Sequence, residues 1–492
     1  EPYQKIMNNK DNEVKSMPMF APGDPEILAK EKRELRELES KGKMARLKWY
    51  FSKSGPGWMQ SAMTLGGGSA MASLFSGAFL EYQLLWVQPV AMAFGIIMLS
   101  ALAYQTLATK TRPFYAMKTF VHPVLAWAWA ISTLIATIIW HFPQYALAAG
   151  MTDDIVKALT GLTFESETNQ TLFLLALGFL FLFIGTKITW NYGKGRKGIK
   201  VFENIIKMII WFIIFAFATV VIIASFSNEG IDWAQVGRGF LPFTINAGEI
   251  NWNIPTDTRG ISIFIASFSA AVGVNMTFLF GYSFLARGWG KEHTGLAKFD
   301  LITGMLIPYS IATGLMIIAA GTTIYGTGVL AEGATNLSPI QAAGMLEAAG
   351  IPSVVSRLIF GLGIIGMALN AIILHMLVCG FAACEIFGIE PTGWKYKLAT
   401  LIPAPGLLGV ILWSEMGTWI AIPTSAISLI MLPVAYIGFF LLNNSEKYLG
   451  ESKPKGKLQF WWNLGMIVAI LATLASVTYY IVTVVPTYFE NI

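Results

Sequence analysis

Residues 56–80, PGWMQSAMTLGGGSAMASLFSGAFL, carry the reading that decides the fold. The stretch is apolar throughout and exceeds the roughly 20 residues a helix needs to cross about 30 Å of hydrocarbon. Its middle holds Gly66-Gly67-Gly68-Ser69. Each of these glycines costs a helix roughly 1 kcal/mol relative to alanine. In lipid, unwound backbone persists only where it is buried in protein or lines a watery cavity. A second run, Ala270-Ala271-Val272-Gly273-Val274-Asn275-Met276-Thr277, interrupts the apolar stretch 259–285 in the same way.

The rest of the chain shares this apolar character. Hydrophobic residues make up 55% of the 492 and charged residues 13%, about half the charged share of a soluble domain. The apolar residues fall in blocks at 56–80, 84–108, 121–149, 170–187, 203–226, 259–285, 299–325, 354–381, 397–413, 418–442 and 460–485. The expected fold is therefore an all-α integral membrane protein of about eleven transmembrane helices. Its plan would be an inverted repeat of five plus five helices with one added, helices 1 and 6 being broken at the midplane. Two interrupted helices at equivalent places in two halves are the sequence mark of a transporter's central site. One such run alone reads as well as close helix packing through small residues.

Loop charges test the span count. Lys110/Arg112/Lys118, Lys187/Lys194/Arg196/Lys197/Lys200, Arg287/Lys291/Lys298, Lys395/Lys397 and Lys447/Lys453/Lys455/Lys457 alternate with Asp153/Asp154/Glu165/Glu167, Glu229/Asp232/Glu249, Glu332/Glu347 and Glu415. Basic loops face the cytoplasm, so the N-terminus is expected inside and the C-terminus outside, in a multi-pass protein of the inner (plasma) membrane. The net charge of +5 is then a topology signal, and no nucleic-acid partner is expected. Residues 1–50 are expected as a cytoplasmic segment, with 1–23 disordered and one charged amphipathic helix over 24–50. The transporter domain is expected over 51–488. The polar N-terminus gives no sign of a cleavable signal peptide.

Other motifs carry less. Cys379 and Cys384 lie five apart on one helix and point to different faces, so they read as small apolar fillers. Asn169 and Asn336 fit the glycosylation pattern, a weak signal. Gly361-x-Gly363-x-x-Gly366 matches a dinucleotide pattern but lies inside an apolar span, where it reads as helix packing. His141 and His375 sit within spans, either as satisfied helix residues or as functional ionisable groups. No catalytic constellation is visible, so an enzyme is not expected, nor is a resident cofactor.

The candidate metal residues are Gly66, Gly67, Ser69, Ala270, Gly273 and Asn275. Their carbonyls, hydroxyl and amide oxygen are hard, neutral donors suited to hard cations. Neither broken stretch contains an aspartate or glutamate. A stripped divalent ion would be poorly compensated there, whereas one keeping part of its water shell, as Mg²⁺ does, would be tolerated.

At these residues the chain resembles the Nramp divalent-metal transporters. Gly55-Pro56-Gly57-Trp58 and Glu81-Tyr82-Gln83-Leu84-Leu85-Trp86 flank the first helix much as the family's motifs do. The likeness continues through Gly198 to Glu203, Lys397 to Ala404, and Met431-Leu432-Pro433. On this resemblance the family's metal-binding Asp falls at Gly66 and its Asn at Ser69. Its Met falls at Gly273, or at Val274 in a register shifted by one, and its first sixth-helix histidine at Asn275. The second histidine falls at Phe280. The third-span acids tied to proton movement fall at about His141 and Gln144, and the Arg and Gln of helices nine and ten at Lys397 and Met431. These departures resemble the Nramp-related magnesium transporters. The resemblance implies Mg²⁺ as substrate, with Mn²⁺ accepted and Ca²⁺ excluded, carried by a monomer in the lipid bilayer without obligatory proton coupling. The alternatives are a proton-coupled Mn²⁺/Fe²⁺ carrier, an amino-acid symporter on the same plan, and a channel.

Overall fold

The structure, a computed structural model, describes residues 25–484 except 39, 227–229, 247–248 and 329–336, together with residue 486. Asn336, Glu229 and Glu332 lie outside the described residues, as do residues 1–23. Nine helices among the described residues are long and apolar enough to cross a membrane, and Gly67–Leu80 and Ile430–Asn444 are shorter apolar ones. The chain is thus an all-α membrane protein of about eleven spans on the five-plus-five plan, with the first and sixth helices broken.

The first span is two helices, α3 (Pro56–Thr64) and α4 (Gly67–Leu80), preceded by α1 (Pro25–Glu37) and α2 (Lys43–Lys53). Pro56 begins α3, where its fixed φ is preorganised and its missing N–H costs nothing. Spans two to five are α5 (Val87–Thr109), α7 (Pro123–Thr160), α8 (Glu167–Tyr192) and α9 (Gly195–Ser225), with α6 (Pro113–Phe120) linking the first two. A short helix α10 (Trp233–Gly239) and a hairpin, β1 (Phe243–Asn246) paired antiparallel with β2 (Glu249–Trp252), lead to the sixth span. That span is α11 (Thr258–Ser269) and α12 (Val274–Arg287). Span seven comprises α13 (Thr294–Asp300), a π-helical turn at Leu301–Leu306 and α14 (Ile307–Thr323). Then follow α15 (Pro339–Ala348), α16 (Phe360–Phe387), α17 (Gly393–Thr400), α18 (Gly409–Asn444), α19 (Glu446–Leu449) and α20 (Gly456–Tyr479).

Two local expectations are corrected and one element is new. The single amphipathic helix over 24–50 is two helices, because Gly42 takes φ +83° and turns the chain between α1 and α2. The connection expected at 414–417 is helical, since α18 runs unbroken from Gly409 to Asn444. The real interruption lies earlier, where Pro403 and Pro405 withdraw two backbone donors and leave a 3₁₀ turn at Ala404–Leu408. The hairpin β1–β2 carried no signal strong enough to separate it from loop.

Small residues let the helices approach. A Cβ on Gly77 would lie 2.3 Å from Ile317 O of α14, and one on Gly409 2.2 Å from Phe142 O of α7. With no hydrophobic drive between helices in lipid, such contacts are what holds a bundle together. The dinucleotide-like glycines do the same work: Gly361 faces Met151 and Ile155 of α7, while Gly363 and Gly366 face Ile209, Ile213, Ala216 and Phe217 of α9. Cys379 and Cys384 are buried and unpaired.

Candidate functional site

The first break is short and locally capped. α3 ends as Leu65 N donates to Ser61 O at 2.9 Å and Gly66 N to Thr64 O at 3.0 Å. Ser69 Oγ then folds back, accepting from Gly66 N at 3.2 Å and donating to Gly66 O at 3.0 Å, which starts α4. Gly67 N donates to Gln144 Oε1 of α7 at 3.1 Å. A Cβ on Gly66 would meet Ala371 of α16 at 3.3 Å and Gln144 Oε1 at 3.4 Å, whereas one on Gly68 would meet nothing within 4 Å.

The second break is built similarly. α11 ends at Ser269, residues 271–273 are non-helical, and α12 begins at Val274. Gly273 N donates to Met276 Sδ at 3.3 Å, and Met276 N to Asn275 Oδ1 at 2.9 Å. The two breaks are tied directly: Thr64 Oγ1 lies 2.9 Å from Ala270 O and 2.8 Å from Ala271 O. One hydroxyl proton thus serves two carbonyls at the end of α11.

The six expected residues therefore line one pair of adjoining breaks, with much of their capacity already engaged. Ser69 caps α4, Asn275 covers the start of α12, and Ala270 O accepts from Thr64. Gly66 and Gly67 carry the backbone groups that Ser69 and Gln144 reach. Several residues at the breaks escaped sequence reasoning. Thr64 joins them, and Met276 brings a buried thioether where the resemblance had removed one. Asn370, beside Ala371, buries both amide atoms without a hydrogen-bond partner among the described residues. The same holds for Gln60 and Ser61 of α3 and for the hydroxyls of Ser267 and Ser269 in α11. Amides inside apolar spans were the available signal. His141 and His375 come together, with Nδ1 atoms 3.4 Å apart, so one ring donates to the other. Among the described residues no group of three His, Cys, Asp or Glu could hold a metal ion.

Exposure around the breaks is uneven. Gly68 and Ala266 are exposed, and Ser269, Ala270 and Gly273 are half-buried, whereas every residue of α3 and α12 is buried. The α3 side is closed by a charged lock around its first residues. Asp300 Oδ2 accepts from Gly57 N at 2.7 Å and Gly55 N at 3.1 Å, a carboxylate on a helix N-terminus. Arg287 of α12 pairs with Glu203 of α9, both buried, and its Nη1 donates to Lys53 O at 2.9 Å. Lys207 Nζ donates to Ser54 O at 2.5 Å. Gly57 has to be glycine here, since a Cβ would sit 2.1 Å from Asp300 O.

Two broken helices in corresponding positions mark a secondary transporter of the inverted-repeat class. The chain belongs to the family described as natural resistance-associated macrophage protein-like, whose model matches residues 57–483. None of the curated proteins matches. Solved structures share the fold. The manganese transporter of Eremococcus coleocola, in complex with an aromatic bis-isothiourea substituted compound, is 16% identical with a TM-score of 0.66, covering 87% of each chain. A mutant of that transporter covers 89% of this chain and 88% of its own at the same identity and TM-score. MhsT in complex with L-phenylalanine is 14% identical with a TM-score of 0.57, covering 86% of this chain and 98% of its own. The chain is thus a multi-pass membrane protein with the fold of the family's metal transporters.

Proposed function

We propose that the protein carries Mg²⁺, with Mn²⁺ also accepted and Ca²⁺ excluded, as a partly hydrated ion by alternating access and without obligatory proton coupling. The supporting observation is the chemistry of the breaks. Neither broken stretch holds a carboxylate, and uncharged polar groups without partners among the described residues lie on the helices that form or adjoin the breaks, at Gln60, Ser61, Ser267, Ser269 and Asn370. Such groups suit the waters of a retained hydration shell better than they suit a bare ion. Carbonyls of Gly66, Gly67, Ala270 and Gly273, with Ser69 and Asn275, would hold the ion. α3 and α12 would swing to release it. In this reading residues 1–50 lie in the cytoplasm ahead of a monomeric transporter domain at 51–488, and the C-terminus lies outside. Flux runs inward under an inside-negative potential worth about 2.3 kcal/mol per charge per 100 mV.

One observation favours a second reading. Met276 Sδ sits at the second break, 3.3 Å from Gly273 N, and a thioether selects softer transition metals, as a proton-coupled Mn²⁺/Fe²⁺ carrier would require. Reconstitution in liposomes separates the two. Mg²⁺ uptake that is indifferent to a pH gradient supports the first. Uptake of Mn²⁺ alone, with proton movement and a strong loss in Met276→Ala, supports the second and overturns the first.

A further inference from the structure

α2 leads directly into the first span through Ser54 and Gly55, so it lies where the chain meets the bilayer surface. Its residues Met44, Leu47 and Phe51 follow the three-and-four spacing of one helix face and are 66%, 41% and 49% exposed. Lys43 and Lys48 flank that stripe, Arg46 lies further round the helix on the side of Tyr50, and all three cations are exposed. Apolar residues on one face and cations beside them are the makeup of a helix lying in the membrane interface. Beside α2 is a cavity of about 400 Å³ lined by Lys32, Leu35, Arg36, Arg46, Tyr50 and Glu292.

That cavity is cationic. Lys32 is neutralised by Glu292 at 2.9 Å, which leaves the two guanidinium groups of Arg36 and Arg46, neither of which forms an ion pair among the described residues. Guanidinium groups hold phosphate oxygens bidentately. The walls are built rather than incidental. Tyr50 packs on Phe299 at 5.4 Å between ring centroids. Trp49 Nε1 donates to Glu34 Oε2 at 2.7 Å, and the buried Glu31 pairs with Arg196 and with Lys53 at 3.3 Å.

We infer that α1, α2 and the segment around Glu292 form a binding site for the phosphate head group of an anionic phospholipid, the lipid lying in the leaflet that α2 contacts. The acyl chains would follow the Met44–Leu47–Phe51 face into the bilayer while the phosphodiester sits between Arg36 and Arg46. Inorganic phosphate shares the head-group chemistry but has nothing to place on the apolar face, so charge and stripe together favour the lipid. Occupancy would brace α1 against α2, whose last residue Lys53 offers the carbonyl that Arg287 holds at the start of α3. The site is independent of which ion the transporter carries.

The test uses the full-length protein in a zwitterionic detergent. Its melting temperature is followed on addition of dioctanoyl phosphatidylglycerol, dioctanoyl phosphatidylcholine or inorganic phosphate. Phosphatidylglycerol is expected to raise the melting temperature saturably, and phosphatidylcholine and phosphate to do much less. Arg36→Gln/Arg46→Gln should weaken the phosphatidylglycerol Kd roughly 30-fold, each arginine contributing about one head-group contact. Arg36→Lys/Arg46→Lys should keep much of the shift, which separates lost charge from lost folding. Equal stabilisation by phosphatidylcholine, or a shift that survives in the double glutamine variant, would overturn the site. A shift by inorganic phosphate as large as that by phosphatidylglycerol would overturn the lipid assignment.

Discussion

The middle of the bundle and the base of its first helix solve opposite electrostatic problems. At the two breaks the groups are neutral: carbonyls, Thr64, Ser69, Gln144 and Asn275. Around Ser54, Gly55 and Gly57 they are charged, and Asp300, Arg287, Glu203 and Lys207 converge on one short stretch of backbone. A charge buried unpaired at the midplane would cost several kcal/mol whenever the site is empty. The charge network at the base is spent within the protein, tying Lys53, Ser54, Gly55 and Gly57 to spans five to seven. The difference teaches where the charges lie among the described residues: at the base of the first span, with neutral groups at the breaks proposed to hold the ion.

The sharpest way to break that comparison is to uncouple the lock. Arg287→Met leaves Glu203 buried without its partner, and removing one side of a buried pair costs about 3–5 kcal/mol. A much lower melting temperature is expected, together with increased labelling of a cysteine introduced at Ser61. An unchanged melting temperature would show the lock to be incidental. At the centre, Thr64→Val removes the hydroxyl shared by Ala270 O and Ala271 O while keeping the shape. Leaving carbonyls unpaired costs about 1–3 kcal/mol, so the expected result is a smaller destabilisation by that amount with slower uptake in liposomes. A variant as stable as the parent would mean the breaks do not depend on each other.

Gly66→Asp adds to the centre the charge it lacks. Ala371 and Gln144 Oε1 leave 3.3 and 3.4 Å for the new Cβ, so small shifts suffice. The Mn²⁺ to Mg²⁺ uptake ratio is expected to rise about tenfold or more, equivalent to about 1.4 kcal/mol. Mg²⁺ flux that persists with transition metals still ignored would sink the proposed account of the site. The smallest effect is at the periphery. The Trp49 hydrogen bond, with Lys53 and Lys30 nearby, holds the Glu34 carboxyl below its ordinary pKa. A depressed carboxylate contributes stability that is complete above the unfolded value near ~4.3 and is lost as pH falls through the lower folded value. Since Glu34 is partly exposed, the contribution is modest. Proteolysis between α1 and α2 should rise only below about pH 4, and in Glu34→Gln that acid-dependent step should disappear.

Much of this was legible before any coordinates. Gly66-Gly67-Gly68 and Gly273 mark the breaks because few other residues would sacrifice helix propensity inside an apolar span. Length and hydropathy gave the spans, apart from the connection at 414–417, where a local dip in hydropathy did not break the backbone. Gln144, Asn370 and Gln60 were visible as amides in apolar surroundings, yet nothing in their spacing says which of them reach a break. Met276 was hidden for a different reason. A register by motif puts the thioether's place at Gly273 or Val274, while the first turn of α12 brings a sulfur back from three residues further on.

By itself the sequence determined a bundle of about eleven spans with two interrupted helices and no carboxylate at either interruption, because span length, helix propensity and residue charge are local properties. Only the tertiary structure decided that Thr64 ties the breaks together, that His141 meets His375, and that Asp300 caps a helix that begins more than two hundred residues earlier. Those are encounters between distant segments, fixed by how the helices pack, and no local property encodes which side chain will find which carbonyl.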